Sequence, residues 1–445
     1  LGIGVGGTVL AACQPNVVKE TVVVEKEVEK EVTRVVEKVK DVTLIRWHHR
    51  LGGWNVYTER IEAFEEAHPD VKVNEEEFPA GSDEYGPKIA SLVAAGMVGD
   101  LTWTAIGSGS FQFLSLNDAL APIDELVNAD SSGFSLDEYY PNVIEGFRFG
   151  PGGVGDGELY GLPELINPGA GCLFFNKTML EDEGLETPEM DWSLDQLLSM
   201  AKAVAEGDDR FGFQPETGGW DGKRRWALAF GGDLLDEEGK TSLITDENTK
   251  QAMRWVWDCF YTHDVAALPA EMSAGLNQMF LAGLMASYNT GAWGLSVKNV
   301  VKDKFEWDMV LVPKGPAGVR GGFMEADGES VTAQSENKQL AYELAKYLTD
   351  KEGGVGIALQ IGLAARPDVY EDERITSDPR LVRVGESVKN AAPYRGVYNL
   401  RKQESETTLN AIFDPLWTGD AEPTDAWFEQ ASAEWQEFLD KPRPS

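Results

Sequence analysis

Beyond residue 40 the chain breaks into short apolar runs and longer stretches of helical period. Val42-Thr43-Leu44-Ile45-Arg46-Trp47 is dense in β-branched and aromatic residues and predicts a buried strand. Residues 55–67 set Val56, Ile61 and Phe64 on one helical face, and His68-Pro69-Asp70 ends that helix. Val71-Lys72-Val73 alternates as a second strand would, and residues 84–95 give another helical pattern stopping at Gly96. Asp100-Leu101-Thr102-Trp103 predicts a short third strand. The β-α-β-α-β order implies a parallel sheet covered by helices. Ligands of such sheets bind beyond the carboxyl ends of the strands. Trp47, His48 and Trp103 stand at those ends.

Further on, residues 248–262 form a helical stretch with Trp255 and Trp257 on different sides. The final helix carries Trp427 and Trp435 eight positions apart, which reads as packing. Two glycine-rich segments read as loops. One, 212–222, contains Glu216, Trp220 and Asp221; the other, 321–328, leads through Glu325, Asp327 and Glu329.

Composition narrows the function. The 445 residues allow two or three domains, and 75 acidic against 39 basic residues give a formal net charge of -36. So acidic a surface repels nucleic acid and anionic membrane, which argues against a non-specific DNA or RNA binder. Three cysteines exclude a disulfide scaffold, and four histidines leave little material for a metal site. Adjacent His48 and His49 project to opposite faces of a strand. No metal and no cofactor are expected. Cys172 and Cys259 read as buried free thiols, although an oxidising compartment would also permit a pair.

The first forty residues differ from the rest. Leu1 to Ala12 is small and apolar, too short for the ~20 residues of a bilayer span, and reads as the end of a signal peptide. It finishes in Leu10-Ala11-Ala12-Cys13, which matches the lipobox of bacterial lipoproteins and makes Cys13 the expected lipidation site. Residues 14–40 hold six basic and six acidic residues, so 41–445 carries the whole net charge. Val28, Val32, Val35 and Val39 leave a short coiled coil open, but the segment reads as a tether.

Five motifs in order give the globular part a family likeness. They are the helix and strand ERIEAFEEAHPDVKV at 59–73, Gly99-Asp100-Leu101 before Trp103, and Gly157-Glu158-Leu159-Tyr160-Gly161-Leu162-Pro163 followed by Leu173-Phe174-Phe175-Asn176-Lys177. Phe280 to Ala286 then leads to Gly291-Ala292-Trp293, and Val312-Pro313-Lys314-Gly315-Pro316 precedes a helix near Ala341 to Leu348. Over about 42–370 this resembles the family 1 extracellular solute-binding proteins of bacterial ABC importers, the maltose-binding-protein-like class. Gly99 replaces the usual proline and Phe175 the usual tyrosine. The resemblance implies a two-lobed α/β fold of the periplasmic-binding-protein type, each lobe a sheet flanked by helices, joined by a multi-crossing hinge. It implies crossings near 161–165, 308–313 and 350–355. Lobe one is then 41–160 plus 314–350, and lobe two 164–308 plus 352–445. It further implies a monomeric, extracytoplasmic, lipid-anchored receptor that is not an enzyme. Its partners would be a small solute and ABC permease subunits.

The chemistry of sugars selects candidates within that frame. A pyranose offers an apolar C–H face to an aromatic ring and hydroxyls to carboxylate, amide or guanidinium groups. By the resemblance Trp103 and Trp293 are sugar platforms on opposite lobes. Glu164 and Asn167 follow a lobe crossing, Glu216 and Trp220 lie in the first glycine-rich loop, and Asp327 in the second. Arg366, before Pro367, resembles a family position near the cleft. Polyamine, peptide and glycerol-phosphate ligands stay open, as does a membrane-tethered glycoside-processing enzyme. The chain has no Gly-x-Ser-x-Gly motif and no phosphate-binding Gly-x-x-x-x-Gly-Lys-Ser/Thr loop.

Overall fold

The computed structural model describes residues 42–442 apart from 51–54, 79–81, 169–170, 207–209, 273 and 390–397. Cys13 and the 14–40 tether lie outside the described residues. The strands are β1 (Thr43–His49), β2 (Val71–Glu77), β3 (Leu101–Ala105), β4 (Arg148–Gly150), β5 (Gly153–Val154), β6 (Glu158–Leu159), β7 (Leu162–Asn167), β8 (Cys172–Asn176), β9 (Ser287–Thr290), β10 (Trp307–Leu311) and β11 (Glu325–Val331).

The fold has two lobes. A five-stranded sheet, ordered β2-β1-β3-β11-β7, centres the first. β1 pairs in parallel with β2 and β3, as the β-α-β-α-β pattern predicts, and helices Asn55–Ala67 and Ser82–Ala94 make the crossovers. β11 and β7 then add antiparallel, so the sheet is mixed. A three-stranded antiparallel sheet, β10-β8-β9, centres the second lobe, and residues 211–214 bridge in parallel to the β9 side. The small sheet β5-β4-β6 stands apart from both.

Two buried clusters hold this frame. One runs from Ile45, Tyr57, Phe64 and Leu101 under the first sheet to Ile357 and Val384, reaching Phe280 and Tyr288 near β9. The other joins Leu173 and Val310 of the second sheet to Leu197, Met253, Val256, Phe413 and Trp435. Helix Leu194–Ala205 shows how local sequence fixes an element. Ser193 and Gln196 form a reciprocal capping box, and Leu197, Met200, Ala201 and Val204 bury one face. Trp435 is fully buried and stacks on Phe438 at 5.0 Å, in agreement with its reading as a packing residue. Cys172 and Cys259 are free and buried.

Three local expectations change. Leu162–Asn167 is a strand of the first sheet, so the chain stays in that sheet past 161–165, and Glu164 and Asn167 belong to it. Trp220 and Asp221 are not in a loop but in the first turn of helix Gly219–Phe230. Glu325, Asp327 and Glu329 are not in a loop either. They alternate along β11 between Ala326 and Gly328, all on one face of a buried strand. Among the described residues, no helix is long and apolar enough to cross a membrane.

Candidate functional site

Strand register builds one wall of the site. Asp327 pairs with Ala105 on β3 and with Leu165 on β7, while Glu325 pairs with Asn167. Residues opposite one another across a sheet share a face, and these five line a cleft of about 510 Å3 between the lobes. Trp103, paired with Glu329 one row deeper, also lines it. From lobe two come Glu216, Trp220 and Trp293, and from helix Tyr398–Thr418 comes Glu406. Close approach is designed in at Gly107, where a Cβ would stand 2.6 Å from Glu325 Oε2, and at Gly291, where it would stand 1.8 Å from the Trp293 ring.

Burial sets the charge state of this wall. Asp327 is pushed up to about 6 by desolvation, against the opposing pull of the Arg50 guanidinium. Glu216 is pushed up to about 7 by burial, although the Gly218 N–H donates to its Oε1 at 3.0 Å. Behind the cleft, Glu164 rises to about 8 through desolvation, while Tyr57 donates to its Oε1 at 2.5 Å. Glu329 is likewise held well above the usual carboxylate range, through desolvation and the neighbouring Glu164. Arg50 caps the wall at 4.9 Å over the Trp103 ring and also lines the cleft. No group of three or more His, Cys, Asp or Glu among the described residues is placed to hold a metal ion.

A family model for bacterial extracellular solute-binding proteins matches residues 59–382. The chain belongs to that family. This solute-binding protein is 26% identical over 310 residues to a binding protein of Brucella abortus, covering 66% of this chain and 69% of the relative. An ABC substrate-binding protein of Listeria monocytogenes in complex with cycloalternan shares its fold, at 20% identity and TM-score 0.75, over 90% of this chain and 99% of the other. So does the GacH receptor of Streptomyces glaucescens, solved unliganded and with acarbose, at 21% identity and TM-score 0.75, over 89% and 98%. Membership places the solute-binding protein outside the cytoplasm.

Of the residues singled out from the sequence, the cleft of the solute-binding protein brings together Trp103, Asn167, Glu216, Trp220, Trp293 and Asp327. Four others do not line it. Trp47 is fully buried, with its Nε1 donating to Glu329 Oε2 at 2.7 Å. His48 is fully buried and accepts from the Gly99 N–H through Nε2 at 2.7 Å. Burial holds it neutral, down at about 4. Glu164 bonds Tyr57 behind the wall. Arg366 is paired with Asp368 at 2.9 Å and Glu138 at 2.5 Å, over the Tyr139 ring, so it serves a local ion network. Strand length explains the first two: β1 runs on to His49, so Arg50, not Trp47 or His48, stands at its carboxyl end. Trp103 is 1% exposed, with Arg50 on its face and the Tyr85 ring edge-on at 5.1 Å, so it is not an open platform. Trp293, at 37%, is open.

Sequence reasoning missed Arg50, Gly107, Ser108, Leu165 and Glu406. The signal for the β11 row was present as acids at every second position with Ala and Gly between. Nothing local in the sequence marked Glu406, which reaches the cleft only through the packing of the C-terminal helix.

Proposed function

We propose that this protein captures a carbohydrate between its lobes and delivers it to an ABC permease. The observation that carries the reading is the lining of the cleft. The open indole of Trp293 stands there with the Asn167 amide and with Glu216, Glu325 and Asp327, while Trp103 and Trp220 are buried in its wall. The Trp293 face suits a C–H face and the polar groups suit hydroxyls. The two structurally similar proteins were solved with cycloalternan and acarbose, which supports the same ligand class.

On this reading lobe one is 42–167 plus 325–350, and lobe two the segment 171–311 with the C-terminal helices. The chain crosses between them after Asn167, between Leu311 and Glu325, and near residue 350. Closure about these crossings brings Trp293 toward the β11 wall and expels water, and the closed shape is what the permease reads. Cys13 carries the lipid, residues 14–40 hold the receptor off the membrane, and the protein acts as a monomer without catalysis. A thermal-shift screen with mono- and oligosaccharides, run beside chromatography for products, tests this. A sugar that raises the melting temperature and is recovered intact is the expected result. Cleaved sugar would establish an enzyme. A shift only with polyamines, peptides or glycerol phosphate would move the ligand class.

A further inference from the structure

Two of the lobe crossings assigned above are tied to each other. The Val312 N–H donates to the Gly171 carbonyl at 2.9 Å, and the Phe323 N–H to the Pro168 carbonyl at 3.2 Å. The segment between these bonds, 313–322, lines a cavity of about 490 Å3 together with Pro168, Gly171, Leu228 of helix Gly219–Phe230 and Glu386 of helix Pro379–Lys389. That volume lies within the ~300–1,000 Å3 of ligand pockets. None of the described residues lines both this cavity and the inter-lobe cleft.

The lining joins an apolar part to a cationic one. Met190, Leu228, Leu311 and Val319 supply the first, Lys314 and Arg320 the second, with Glu386 the one acid among the described lining residues. Arg320 is held in place, since its guanidinium donates to the carbonyls of Met190 and, at 2.6 Å, of Val312, and it feels the Glu386 carboxylate. Lys314 is exposed, and its ammonium has no hydrogen bond or ion pair among the described residues. Behind this wall stands Arg225, three residues before Leu228 on one helix, with its carbonyl so close to Gly321 that a Cβ there would stand 2.0 Å away. Arg225 is fully buried, and none of its three guanidinium nitrogens has an acceptor among the described residues. Burial and the neighbouring Arg320 push it down to about 9. Lys314 and Arg225 thus stand without a counter-charge in a protein of net charge -36. An unpaired buried charge costs free energy that a bound anion would recover.

We propose that this cavity is a second small-molecule site, for a carboxylate with an apolar body, its anionic end toward Lys314 and Arg320 and its chain against Leu228, Leu311 and Val319. The site does not depend on what the inter-lobe cleft holds. Calorimetric titration of the whole protein with octanoate, octylammonium and acetate tests it. Octanoate should bind once per chain, acetate at least about tenfold more weakly for want of a buried chain, and octylammonium not at all. Lys314→Met and Val319→Asp change exposed side chains, so both variants should melt as the parent does, and each should weaken octanoate at least about fivefold. Arg225→Met removes an unpaired buried charge; it should melt no lower than the parent and also bind octanoate more weakly. Octylammonium binding as tightly as octanoate, or no heat with octanoate, overturns the site. So does octanoate binding that is unchanged in both surface variants, which would locate it elsewhere.

Discussion

The indole Nε1 of Trp47 donates to Glu329 Oε2 at 2.7 Å, and both side chains are sealed from water. Glu329 sits on β11 opposite Trp103 and two residues from Asp327, so this one bond anchors the row on which the cleft wall is built. Trp47 thus acts on stability rather than on the ligand. Trp47→Phe keeps the ring and removes the N–H, leaving a buried carboxyl oxygen without its donor. The loss should be about 1–3 kcal/mol, read from urea unfolding, with sugar affinity changed less than about twofold.

Glu164 gives stability a pH dependence of known sign. Burial raises it to about 8 in the folded protein, against roughly 4.3 unfolded. The folded state therefore holds this proton more tightly. Its contribution is fully present below pH ~4 and is lost as pH rises through the folded value. The melting temperature should fall between pH 5.5 and pH 8.5. Glu164→Gln, which keeps an oxygen for the Tyr57 hydroxyl, should flatten that slope by an amount on the order of a few kcal/mol. An unchanged slope would place the titration elsewhere.

The first sheet was legible because each of its early strands is bounded by a helix with its own stop signal, such as His68-Pro69-Asp70. Its last two strands were hidden for opposite reasons. β7 is short and begins beside Pro163, and β11 presents glycine and acids where strand propensity expects β-branched residues. Tertiary burial overrides that propensity, since Glu325 and Glu329 are 5% and 1% exposed. The site was legible where a residue lies at a strand end or in a motif, as with Asn167 and Trp293. It was illegible where a strand overran its expected end, as at Arg50, or where a distant helix supplied the group, as at Glu406.

Trp293 and Trp435 should separate binding from stability. Trp293 is open to the cleft, and covering one indole face with a sugar is worth on the order of 1–2 kcal/mol. Trp293→Ala should weaken sugar binding about ten- to thirtyfold and leave the melting temperature nearly unchanged. Trp435, wholly buried against Phe438, should behave in reverse, with about 3–5 kcal/mol lost on truncation to Ala. Equal effects on both properties in Trp293→Ala would return it to the core.

Arg50 and Asp327 should govern how binding responds to acid. Asp327 titrates at about 6 because desolvation disfavours its charge and Arg50 partly restores it. Above that value the carboxylate can accept two hydroxyl hydrogen bonds from a sugar; below it, the group is a neutral acid and one of those bonds weakens. Sugar affinity should therefore fall as pH drops through about 6. Arg50→Met keeps much of the side-chain volume and removes the cation. The carboxyl then loses the charge that holds its proton affinity down, so the midpoint of the affinity profile should move to higher pH. At pH 7.5 the variant should bind more weakly than the parent, and the difference should narrow below pH 5, where both carry a protonated Asp327. Asp327→Asn should abolish the midpoint altogether. Parallel profiles for parent and Arg50→Met, measured by calorimetry across pH 4.5–8, would show that Arg50 acts on the ligand directly and not through Asp327.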